Sequence, residues 1–124
     1  MNPLKIKGTE DTPMFDFNPE SGILDISGIS MPEDVIHAYR DAINWLTIYR
    51  DNPNEKTEIV FKLEYYNSAS SKKIAEILLI LQEIYKRGYQ VQITWYVEDD
   101  DERMELRGDE LLSLVTIPHE IKIY

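Results

Sequence analysis

Apolar and polar residues alternate every second position in three separated stretches of this chain. In Lys56 to Tyr66, Ile59, Phe61, Leu63 and Tyr65 alternate with Val60, Lys62, Glu64 and Tyr66. In Tyr89 to Val97, Val91, Ile93, Trp95 and Val97 oppose Gln90, Gln92, Thr94 and Tyr96. In the closing stretch His119 to Tyr124, Ile121 and Ile123 oppose Glu120, Lys122 and Tyr124. A period of two predicts strands with one apolar and one wet face. Between them the spacing changes to three and four. Val35, Tyr39, Ala42, Leu46 and Tyr49, flanked by Ile36 and Ile43, predict an amphipathic helix. Ser30-Met31-Pro32-Glu33-Asp34 opens it, with Ser30 or Met31 near the cap and Pro32 in the first turn, and Asn52-Pro53-Asn54 ends it. Trp45 lies off that stripe, fit either to rest on the helix edge or to meet a partner, edge packing being the commoner use. A second helix follows Ser68 and carries Ile74, Ile77, Leu78, Leu81, Ile84 and Tyr85, widened by Leu79 and Ile80, up to Lys86-Arg87-Gly88. A shorter third covers about Arg107 to Val115.

Upstream, Leu4 to Lys7 reads as an edge strand, and Gly8 to Pro13 as a loop. Met14 to Phe17 and Ile23 to Ile29 flank the turn-rich Asn18-Pro19-Glu20-Ser21-Gly22, which predicts a hairpin. The later order of strand, helix, strand, helix, strand favours parallel pairing. A parallel sheet covered on both faces would show continuous apolar strands, whereas these are one-sided. The expected fold is therefore α/β: a two-layer sandwich with a mixed sheet, an N-terminal hairpin and helices packed on one face. Phe61, Leu63, Val91, Ile93, Trp95, Ile121 and Ile123 should touch the helices, with Lys62, Glu64, Gln90, Gln92, Thr94, Glu120 and Lys122 toward solvent.

The 124 residues fill one domain, 1–124, and leave no room for a second. Acidic residues outnumber basic ones 23 to 13, a net charge of -10, so a nucleic-acid backbone or an anionic membrane would be repelled. No cysteine is present, which removes disulfides, thiolate nucleophiles and sulfur-based zinc sites. The start of the chain has no apolar run of export-signal type, and the longest apolar run, Ile77 to Leu81, is too short to span a bilayer. A cytoplasmic protein with no membrane insertion is expected.

Candidate chemistry is sparse. His37 and Asp41, spaced i, i+4, suggest an enzyme only weakly, since a nucleophile and a third, orienting member are missing and such pairs commonly sit on a helix edge. No glycine-rich phosphate loop offers a cofactor site. The run Glu98-Asp99-Asp100-Asp101-Glu102 lacks the glycine and closing glutamate of a calcium loop, so an extended, solvated connector is its ordinary reading. One cluster stands out. In Tyr65-Tyr66-Asn67-Ser68-Ala69-Ser70-Ser71-Lys72 a strand runs into hydroxyl residues where a helix begins. The first N–H groups of a helix lack partners and carry the positive end of its dipole, so an anion is held well there. Asn and Ser are also ordinary N-caps, and capping is the commoner use.

That segment resembles the signature of the SiaC-family regulatory phosphoproteins, in which Tyr-Phe-Asn and a Thr or Ser precede further serines and a lysine. Gly8-Thr9-Glu10-Asp11-Thr12-Pro13, Gly22 to Gly28, Met31-Pro32-Glu33-Asp34 and Trp45-Leu46 fall in the same order, so the likeness covers nearly the whole chain. It implies a fold similar to the STAS domains of anti-sigma-factor antagonists and a non-catalytic switch. Ser68 takes the acceptor place of a cognate serine/threonine kinase, a PP2C-type phosphatase reverses the modification, and the unmodified form binds and activates a diguanylate cyclase. Tyr66 stands for the usual Phe, and Ala69, in place of a serine, removes an acceptor. Tyr66, Asn67, Ser70, Ser71 and Lys72 are then expected to lie exposed beside Ser68 as the surface these partners read, with Lys72 in reach of the phosphate. A constitutive interaction module is the alternative.

Overall fold

Strand pairing follows chain order in a six-stranded sheet. The computed structural model describes every residue from Met1 to Tyr124. Its elements are β1 (Leu4–Ile6), β2 (Met14–Asn18), β3 (Ile23–Ser30), α1 (Val35–Asp51), β4 (Lys56–Tyr66), α2 (Ser68–Lys86), β5 (Gln90–Val97), α3 (Glu102–Leu112) and β6 (His119–Ile123). The first three strands pair antiparallel, and β3 to β6 pair parallel. Each parallel step advances in the same direction, so right-handed crossovers bring α1, α2 and α3 to one face. Burial agrees: Thr57, Ile59, Phe61 and Leu63 of β4 are buried, and Lys62 and Glu64 are exposed.

The core lies between sheet and helices. Phe15, Phe17, Tyr39, Trp45 and Tyr49 make an aromatic cluster over the hairpin, in which Trp45 stacks on Tyr49 with centroids 5.0 Å apart. Trp45 is buried, and its indole N–H donates to the Asn2 carbonyl at 2.8 Å, so it packs at the helix edge and ties down the N-terminal arm. Trp95 sits against Phe61 and Tyr66 farther along the sheet. Most polar groups inside are paired: the Tyr49 hydroxyl meets Thr57 at 2.7 Å, and Gln82 makes two bonds to Thr116.

Several expectations need correction. Alternation breaks at the end of β4, where Leu63 pairs Gly28 but Tyr65 pairs Ile29, leaving Glu64 without an opposite residue. This bulge reverses the parity of the last residues of the strand. Tyr65 is thus exposed and Tyr66 buried, the reverse of a strict period of two. Gly28, at φ +98, supplies the backbone turn at that step. The cap of α1 is Asp34, whose carboxylate accepts from the His37 N–H at 3.1 Å, while Ser30 is the last, buried residue of β3. Helix α3 begins at Glu102, ahead of the expected Arg107, because Asp101 caps it by accepting from the Met104 N–H. Of the acidic run, Asp101 and Glu102 form the helix start, while Glu98 to Asp100 are an exposed turn connecting β5 to α3. Thr94, on the open face, is buried, flanked by Val60 and Glu120 on the neighbouring strands. Ile123, at the end of an edge strand, is exposed and does not reach the core. Ile36 is exposed as well.

Candidate functional site

The end of β4 and the start of α2 meet the C-terminal half of α3. Asn67 is the N-cap of α2: in extended conformation, it accepts from the Ser70 N–H through its side-chain oxygen at 2.9 Å. Its own N–H donates to the Ser30 carbonyl, also at 2.9 Å, which fixes the helix start to the end of β3. Capping thus falls to Asn67, and the serines after it are free for other uses.

The structure separates them. Ser70 is fully buried, against expectation. Its hydroxyl donates to the Ser30 carbonyl at 3.0 Å and lies 2.7 Å from the Ser30 hydroxyl, which in turn meets the Tyr39 hydroxyl at 2.6 Å. Such an interior network joins β3, α1 and α2, and Ser70 is a structural residue. Ser71 is half-buried and its hydroxyl donates to the Ser68 carbonyl at 2.7 Å. Ser68 is exposed, and its hydroxyl makes no hydrogen bond within the chain. Lys72 is exposed and forms no ion pair.

Tyr66 also departs from expectation, being 1 % exposed. Its ring stands edge-on to Trp95, and the Arg107 guanidinium lies over it at 4.2 Å from the centroid. Its hydroxyl is buried with no hydrogen-bond partner, the one such side-chain atom in the protein. Burial pushes the phenol up to about 12, with the Arg107 charge pulling it down and Glu110 pushing it further up. Tyr66, Ser68, Ser71, Arg107, Glu110 and Leu111 line one cleft of about 300 Å³. A larger depression, about 670 Å³, lies on the open sheet face around Gln92, Thr94, Glu120 and Lys122, with no unpaired buried polar atom.

Arg107 and Glu110 were not legible as site residues, because they come from an element some forty positions downstream of the serine cluster. The single hint is Gly108 inside a helical stretch, a mark of close approach. A Cβ there would lie 2.6 Å from the Trp95 indole nitrogen, so glycine lets α3 settle on Trp95 and sets Arg107 above Tyr66. The other candidates do not assemble. His37 and Asp41 are exposed and unbonded to one another, and Asp41 faces Arg40 at 3.6 Å. No three carboxylate or imidazole groups converge as a metal site, in the acidic run or elsewhere. No helix is long and apolar enough to cross a membrane.

Comparison with known proteins covers the whole chain. A protein of Pseudomonas aeruginosa without a characterised function is 27 % identical over 124 residues, spanning all of this chain and 98 % of its own. The structure of SiaC of Pseudomonas aeruginosa superposes with a TM-score of 0.92 at 26 % identity, each chain fully covered. A second structure shows the diguanylate cyclase SiaD in complex with its activator SiaC, also at a TM-score of 0.92 and 26 % identity, covering 98 % of this chain and 99 % of the other. The sequence model of the SiaC family of regulatory phosphoproteins matches residues 6–124. With that match over nearly its full length, and a mixed six-stranded sheet shared with the solved structures, the chain belongs to the SiaC family of regulatory phosphoproteins.

Proposed function

We propose that this protein is a non-catalytic cytoplasmic switch, phosphorylated on Ser68 by a serine/threonine kinase and restored by a PP2C-type phosphatase. In its unmodified form it binds and regulates a diguanylate cyclase, as the related SiaC activates SiaD. The observation that carries the reading is the state of the three serines at the start of α2: one hydroxyl is locked in the interior, one is tied to the backbone, and only that of Ser68 is both exposed and free.

The energetics are compatible with a switch. A phosphate adds about -1.5 to -2 charge, taking the chain from -10 to roughly -12. At a helix N-terminus that charge is tolerated or favoured by about 0.3–1 kcal/mol, so the fold survives. A partner packed on the same surface has to desolvate a dianion or supply cations of its own, and without them it is released. Asn67, Ser71 and Lys72 border Ser68 and are the residues a kinase, phosphatase or cyclase would read; Tyr66 and Ser70 act from beneath.

The test is intact-mass and peptide mass spectrometry of protein from its native host, with and without phosphatase, and then affinity capture with Ser68→Ala and Ser68→Glu baits. Phosphate at Ser68, with a cyclase retained by Ser68→Ala and lost by Ser68→Glu, is the expected result. Absence of phosphate together with equal capture by both baits would instead establish a constitutive interaction module.

A further inference from the structure

The cleft beside Ser68 contains two groups that its family role does not account for. Arg107 forms no ion pair: beyond its stack on Tyr66 and a longer approach to the Tyr65 ring at 5.8 Å, its one polar contact is a weak 3.9 Å approach to the Met104 sulfur. The Tyr66 hydroxyl, on a residue only 1 % exposed, lacks any partner, although leaving such a group unpaired is costly. A buried donor and an unpaired guanidinium thus line the same cleft as an exposed serine hydroxyl. All three are suited to one ligand, a tetrahedral dianion with several acceptor oxygens. Glu110 lines the cleft too and opposes an anion, but it is exposed to solvent and held by no ion pair.

We propose that phosphoserine 68, once formed, turns into this cleft and is held by the Arg107 guanidinium and the Tyr66 hydroxyl, so that modification clamps the start of α2 to α3. The proposal rests on Ser68 being the acceptor. Its consequence is a phosphate read within the chain as well as by partners. Lys72, exposed and outside the cleft, is not its counter-ion. The clamp pairs Arg107 and the Tyr66 hydroxyl, covers the cleft, and changes the surface shared by α2 and α3 in one step.

The experiment uses the full chain carrying phosphoserine at position 68, inserted during translation so that no kinase is needed, with the phosphate titrated by phosphorus NMR. A free phosphoserine loses its second proton near pH ~6, and a guanidinium within a few ångströms lowers that by about one unit. The expected result is a depressed value in the parent chain, a return to about 6 in Arg107→Gln, partial return in Tyr66→Phe, and further depression in Glu110→Gln. Tyr66→Phe keeps the buried ring, so it reads the hydroxyl alone. A phosphate titrating near ~6 in the parent chain, unmoved by Arg107→Gln, would overturn the clamp, as would a depression abolished by Lys72→Gln and not by Arg107→Gln. Failure of the acceptor reading shows up separately, as native protein bearing no phosphate at Ser68.

Discussion

Ser70 shows how one buried hydroxyl can hold three elements. Its removal by Ser70→Ala deletes a bond to the Ser30 carbonyl and leaves the Ser30 hydroxyl with Tyr39 alone. A loss of about 1–3 kcal/mol is expected in urea unfolding, with phosphorylation at Ser68 unaltered. Asp25 is the reverse case, a residue the fold tolerates at a cost. It pairs across the strands with Asp16, and its pKa is raised above 3.8 first by burial, then by Asp16 and Glu58. A carboxyl that holds its proton more tightly in the fold favours the folded state at low pH. That contribution is lost as pH rises from 3.8 through the raised value. Asp25→Asn should therefore raise the melting temperature by about 1–3 °C at pH ~7. The gain should vanish below pH 3.8, and a gain that persisted there would mean the charge is not the cause.

At the scale of the element, α3 is placed by a missing side chain. Alanine is a better helix former than glycine by about 1 kcal/mol, yet a Cβ at Gly108 would press on a Trp95 ring already enclosed by Phe61 and Tyr66. Overpacking of this kind costs about 1–3 kcal/mol. Gly108→Ala should accordingly lower stability by about 1 kcal/mol net, and it should move Arg107 off Tyr66. Near-ultraviolet circular dichroism of the Trp95 and Tyr66 environment, read alongside urea unfolding, checks both. The bulge at Glu64 does similar work on β4, turning Tyr66 inward immediately before Asn67 caps α2. Without it, Tyr66 would face the open side of the sheet and the cleft would lose its floor.

Over the whole molecule, charge is distributed without much pairing. The four ion pairs are at the surface, where each is worth little, and the net charge is -10. Screening therefore removes more repulsion than attraction. Raising sodium chloride from about 0.05 to about 0.5 M should increase the melting temperature by a few degrees, more in the phosphorylated chain if its phosphate stayed in solvent and less if Arg107 holds it. Thermal melts of both forms at the two salt concentrations decide this.

The order and type of the elements, the hairpin, the parallel crossovers and the one-sided helical layer were legible from the sequence. Periods of about 2 and about 3.6 record which face of each element is buried, and that is a local property. The serine cluster at the start of α2 was legible for the same reason, through capping chemistry and through likeness to a family. What the sequence left open depends on contacts between distant positions. Nothing near Tyr66 reveals that Glu64 is unpaired, since the bulge exists only in register with β3. Nothing near Ser70 reveals Ser30, which reaches it because β3 and β4 end side by side. Arg107 and Glu110 join the site only because α3 rests on Trp95 through Gly108. The local pattern thus determined a helix start rich in hydroxyls, and tertiary packing decided which hydroxyl is free and what surrounds it.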